Sequence, residues 1–155
     1  METLQQLTRR QIDALRSIGT QETPERGVAL KSTALSLKVR PPSALGYLSP
    51  LESMGLIVRH RGKSRLTARG RATLTEYQRH HRVAETLFGS LGLAPAETCA
   101  AAREIDLALS HRTVEEVCRA QRHPSECPHG APIGPCRTTE PTRAPPRHPA
   151  PGTAL

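Results

Sequence analysis

The residue types in this chain best suited to chemistry are imidazoles, carboxylates and thiols, and they gather in its second half. In RHHRVAE, residues 79–85, His81 and Glu85 stand four apart, which on a helix places both on one face. Such a pair is half of a divalent-metal site, or an ordinary solvated pair. Four cysteines, Cys99, Cys118, Cys127 and Cys136, lie beyond it, the last three spaced nine apart and without a CxxC pair. In a reducing compartment they are thiols or metal ligands rather than disulfides. One arrangement they permit is a four-thiolate zinc or iron–sulfur site, which would make the protein a redox- or cluster-sensing regulator. The chain has no Ser-His-Asp order, P-loop, GxGxxG or HExxH, so it is not expected to be an enzyme.

Charge is divided unevenly along the chain. Residues 1–75 carry 13 Lys/Arg against 5 Asp/Glu, whereas residues 76–155 carry 9 of each, so the whole excess of +8 sits in the first half. A basic module joined to a neutral one is what binding to phosphates requires. Within it, Arg59, Arg61, Lys63, Arg65, Arg69 and Arg71 follow one another with no acidic residue between them. Their expected partners are DNA phosphates, which position a duplex without reading it.

These groups need elements to hold them. Aromatic residues are only 2% of the chain and Trp is absent, so Leu, Ala, Ile and Val must build the core, which favours helices packed on helices. Leu4, Leu7, Ile12, Leu15 and Ile18 recur at helical spacing, with Gly19 as the expected stop. A short helix is expected over residues 28–38, and another from Ser43 to Met54 after Pro41 and Pro42, kinked or shortened by Pro50. Residues 56–70 change period around Arg61-Gly62-Lys63 and predict a hairpin. Three helices and a basic hairpin make a winged helix-turn-helix, with the third helix in the major groove and the hairpin tip on the backbone. Base contacts are then expected from Ser43, Ala44, Gly46 and Tyr47, with Arg40 just before them.

Thr67 caps a long helix to Leu91, Pro95 starts another that continues to about Ser110, and a further one covers roughly Val114 to Arg122. The fold class is therefore mainly α. Residues 1–75 form the DNA-binding domain, 76–136 a helical domain, and 137–155 a Pro-rich tail expected to be disordered. With neither a signal-peptide-like run nor an apolar stretch of roughly 18 residues, the expectation is a cytoplasmic protein without membrane contact.

The order of these elements, with SALGYLSPLESMGLI, LTARGRA, RHHRVAETLF, SLGLAPAE and CPHGAPI, resembles the iron- and manganese-dependent repressors of the diphtheria-toxin-repressor family over about residues 5–133. The resemblance implies a homodimeric, metal-dependent transcriptional regulator whose second domain dimerises and carries two metal sites. It leaves no room for the SH3-like third domain that some members carry. One family site, for Fe²⁺ or Mn²⁺, maps to His81, Glu85 and Cys99, where cysteine in place of the usual histidine shifts preference toward softer ions such as Zn²⁺ or Fe²⁺. The other maps to Arg10, Arg103, Asp106 and Leu107, of which only Asp106 is able to ligate a metal. Arg10 is expected to reach Asp106 and supply a permanent positive charge where relatives use an ion. That arrangement also allows a metal-independent DNA-binding protein.

Overall fold

Thr8 begins the first long helix. Its side chain accepts from the Gln11 backbone N–H at 3.3 Å while Gln11 Oε1 accepts from the Thr8 N–H at 2.8 Å, a reciprocal cap that starts α1 at Arg9–Gln21. In this computed structural model, which describes residues 3–136, Leu4–Gln6 form a separate 3₁₀ turn before α1. The expected stop at Gly19 lies inside the helix. A two-residue strand β1 (Val28–Ala29) leads into α2 (Leu30–Ser36), where a single helix was expected.

Pro41 and Pro42 open α3 (Pro41–Ser53), where a missing N–H costs nothing. Pro50 sits within α3 without ending it, so the helix is not shortened as expected. Strands β2 (Ile57–His60) and β3 (Lys63–Leu66) pair antiparallel, His60 opposite Lys63, and β1 adds to the far edge of β3. Arg61 and Gly62 both have positive φ, 49° and 74°, the two-residue turn that matches strand twist. Ile12, Leu15, Ile18, Leu48, Leu51, Leu56 and Ile57 are buried together in the core of this half, and Tyr77 of the next helix joins them.

Thr67 caps α4 (Ala68–Ser90), accepting from the Gly70 N–H at 2.9 Å. Gly70 is required there: a Cβ would stand 1.9 Å from the Leu56 carbonyl oxygen. The long helix therefore abuts the hairpin directly. Pro95 starts α5 (Pro95–Ile105), which ends five residues before the expected Ser110. Ser110 instead caps α6 (His111–Ala120), accepting from the Thr113 N–H at 3.1 Å. A small second core forms around Val83, Val114 and Cys118.

After α6 the chain returns along α4 as an irregular strap. Arg82 donates to the Pro132 carbonyl at 2.5 Å and Arg79 to the Gly134 carbonyl at 3.3 Å, tying the strap to that helix. The order of helices and hairpin agrees with the sequence expectation, and the structure is mainly helical. The expected disordered tail lies outside the described residues. Among the described residues no helix is long and apolar enough to cross a membrane.

Candidate metal centre

His81 and Glu85 face the same way from α4, and α5 brings Cys99 to them. His81 Nε2 is 3.2 Å from Glu85 Oε1 and 3.5 Å from Cys99 Sγ, and the three ligand atoms lie within 4.8 Å of one another. Glu85 is buried and the other two are half-buried. Burial, with the Glu85 carboxylate beside it, pushes the Cys99 thiol up from its ordinary value.

A second set shares Glu85. The strap turns back at Gly130, with the Cys127 N–H on the Ala131 carbonyl at 2.9 Å, and this turn carries buried Cys127 and exposed His129 to the same carboxylate. His129 Nδ1 is 3.2 Å from Glu85 Oε1, and Glu85, Cys127 and His129 also have ligand atoms within 4.8 Å. Sequence reasoning gave Cys127 a ligand role only in a four-thiolate site and missed His129. The signal was present in CPHG, a Cys-x-His pair followed by a turn glycine.

Asp106 is placed differently from a ligand. Fully buried, it takes His81 Nδ1 on Oδ2 at 2.9 Å, while Arg9 reaches it from α1, Nη2 to Oδ1 at 2.5 Å and Nη1 to Oδ2 at 3.3 Å. Burial alone raises its pKa. The hydrogen bonds from His81 and Arg9, with the Arg9 charge, outweigh it and hold the carboxyl below its ordinary value. With Nδ1–H donated to Asp106, His81 presents its Nε2 lone pair to Glu85 and Cys99. The donor set of imidazole, carboxylate and thiol thus fits a divalent transition-metal ion.

The arginine that meets Asp106 is Arg9, not Arg10. The cap at Thr8 sets the phase of α1, so Arg9, Asp13 and Arg16 share the face toward α4 and α5. Arg9 also donates to the Arg103 carbonyl and to Tyr77 Oη, the latter at 3.1 Å. Arg103 reaches back to Asp13 at 3.2 and 3.3 Å, and Arg16 lies 5.9 Å from the Tyr77 ring centroid. Arg10, about 100° round the helix, turns instead to the Leu37 carbonyl at 3.5 Å. Leu107 packs against the first-half core.

The four thiols do not converge. Cys99 stands with His81 and Glu85, Cys127 with Glu85 and His129, and Cys118 with Cys136 and His123. Their division among three ligand groups does not favour a single four-thiolate cluster.

The expected DNA-contact residues also divide. Arg40, Ser43 and Gly46 are exposed at the start of α3, as are Arg61 and Lys63 at the hairpin tip. Ala44 is completely buried and cannot touch a base, and Tyr47 is half-buried against the core. Arg59, expected on a phosphate, is neutralised by Glu52, Nε to Oε2 at 2.7 Å. Arg65 donates to the Thr23 and Pro24 carbonyls at 3.2 and 2.6 Å, and Arg71 pairs with Glu22. Among the described residues Arg61 and Lys63 make no ion pair.

Residues 67–135 match the family model described as the iron dependent repressor, metal binding and dimerisation domain. Those residues resemble a domain of that family. The resemblance to the diphtheria-toxin-repressor regulators is thereby shown. By structure, the chain resembles the hypothetical protein SSo2273 from Sulfolobus solfataricus, with a TM-score of 0.77 and 26% identity over 83% of this chain and 99% of that one. A manganese-dependent transcriptional repressor in complex with manganese gives 0.66 and 26%, over 87% of this chain and 63% of that one. IdeR of T. acidophilum, at 24% identity and a TM-score of 0.62, shares the fold over 88% of this chain and 64% of its own. The chain thus spans under two thirds of these two regulators. No curated protein matches it. In this iron-dependent-repressor domain, His81, Glu85, Cys99, Asp106, Cys127 and His129 all fall within the matched residues.

Proposed function

We propose that the chain is a DNA-binding transcriptional regulator, a homodimer whose repressor-type second domain holds a divalent transition metal at His81, Glu85 and Cys99, with Cys127 and His129 on the other side of Glu85. The first half acts as a winged helix-turn-helix. Exposed Arg40, Ser43 and Gly46 at the head of α3 face the major groove, and Arg61 and Lys63 on the hairpin tip take the neighbouring phosphates. A bound Fe²⁺, Mn²⁺ or Zn²⁺ supplies positive charge that draws α4, α5 and the strap onto one point.

The observation that carries this reading is the continuous chain of bonds from the ligand set to α1: His81 Nδ1 on Asp106 at 2.9 Å, and Asp106 on Arg9 at 2.5 Å. His81 orients Asp106 and is oriented by it. Asp106 in turn holds the first helix of the basic module. Arg9, next to the Arg10 that the family resemblance places at a ligand position, meets Asp106 in its stead, and its guanidinium joins the two halves permanently. DNA binding therefore persists without metal, and metal at His81 tightens it. Metal content of the purified protein and its DNA affinity, measured for wild type and His81→Ala, test this. The expected result is metal-enhanced binding in wild type only, and equal enhancement in both proteins would refute it.

A further inference from the structure

A second group of soft ligands lies apart from the Glu85 centre, where α6 ends. Cys118 is buried in the last turns of α6, His123 follows three residues beyond its end, and Cys136 comes from the far end of the strap. Ligand atoms of all three lie within 4.8 Å of one another, with Cys118 Sγ 3.8 Å from His123 Nδ1. Three separate stretches of chain thus place two thiols and an imidazole around one point.

The backbone is bent to achieve this. Arg122 and His123 both adopt positive φ, 61° and 55°, a conformation that residues other than glycine rarely take twice in succession. The bend folds the chain back so that the His123 N–H bonds the Cys118 carbonyl at 2.9 Å, and it carries the imidazole over the Cys118 thiol. Glu115, one turn before Cys118, sets its carboxylate against the Cys136 thiol. The cation already present is Arg79, with Nη2 3.3 Å from Cys136 Sγ and Nη1 3.0 Å from Glu115.

We propose that Cys118, His123 and Cys136 form a soft-metal site of the zinc class, with the Glu115 carboxylate as its oxygen donor. Two thiolates, one imidazole and one carboxylate or water make a tetrahedral set that suits Zn²⁺ and disfavours Mn²⁺. The site is structural. Residues 124–135 run between His123 and Cys136 and include Cys127 and His129, so a metal there pins both ends of the strap that lies against Glu85. It does not depend on what the protein does with DNA.

Cobalt(II) reports the site directly, because thiolate ligands give it a charge-transfer band. In a Cys99→Ser/Cys127→Ser protein the remaining thiols are Cys118 and Cys136. Cobalt added to this reduced protein should develop the band, saturating at one equivalent and bleached by one equivalent of zinc. His123→Ala in the same background, a change at an exposed side chain, should weaken cobalt binding at least tenfold while circular dichroism stays unchanged. Cys136→Ser should halve the band. Absence of any charge-transfer band in the correctly folded protein would overturn the proposal. So would a band indifferent to His123→Ala, or rapid formation of a Cys118–Cys136 disulfide that added zinc fails to slow.

Discussion

Arg9 illustrates how one side chain ties helices together at a junction. Its charge lies against the fully buried Asp106, and its other hydrogen bonds go to Tyr77 and the Arg103 carbonyl. Arg9→Ala leaves a buried carboxylate without its counter-charge and should cost roughly 3 kcal/mol in urea unfolding. Asp106→Asn removes the charge that orients His81, and zinc or manganese affinity should fall by about 10–100-fold in isothermal titration. The same substitution has a pH signature. Since the folded state holds the Asp106 carboxyl below its ordinary value, its stabilisation is present above the usual carboxylate range and fades as pH falls through the depressed value. Acid unfolding of Asp106→Asn should therefore be less steep than that of wild type. At this scale the sequence was only partly legible. His81, Glu85 and Cys99 were found from spacing and family likeness, but the phase of α1 depends on the Thr8 cap, and without it Arg10 and Arg9 are indistinguishable. Asp106, expected as a ligand, bonds His81 and Arg9, contacts that its own segment does not specify.

Among the elements, the hairpin and the start of α4 meet backbone to backbone. Thr67 caps the helix and also donates to the Gly55 carbonyl at 2.7 Å, while Gly70 lets the first turn of α4 meet the Leu56 carbonyl. Gly70→Ala should destabilise by about 3 kcal/mol, because backbone is the obstacle and cannot yield as a side chain does. The hairpin tip is an independent feature. Arg61→Ala and Lys63→Ala should each lower the magnitude of the slope of log K against log salt by about 0.9 for duplex DNA, leaving thermal stability within about 0.5 kcal/mol. Hairpin, turn and helix order were readable because each depends on local residues such as Arg61-Gly62 and Pro41-Pro42. What was not readable was the neutralisation of the basic run, because Glu52 and Glu22 come from other elements to meet Arg59 and Arg71. Ala44 was misplaced for a similar reason: its burial follows from how α3 docks, which its own segment does not specify.

The whole molecule joins a basic half, proposed to bind DNA, to a neutral half, proposed to bind metal, through α1. Asp13 with Arg103 and Arg9 with Asp106 cross the junction in parallel, beside the packing of Tyr77 and Leu107 on the first-half core. If that joint stands in for a metal, chelation should leave the orientation of the two halves intact. The decisive measurement is DNA affinity by fluorescence anisotropy after exhaustive chelation, for wild type, Arg9→Ala and Asp106→Ala. Wild type should keep its affinity to within about tenfold, a change of roughly 1.4 kcal/mol, while both variants lose more than that. Complete loss of wild-type binding on chelation, restored only by added metal, would contradict the account.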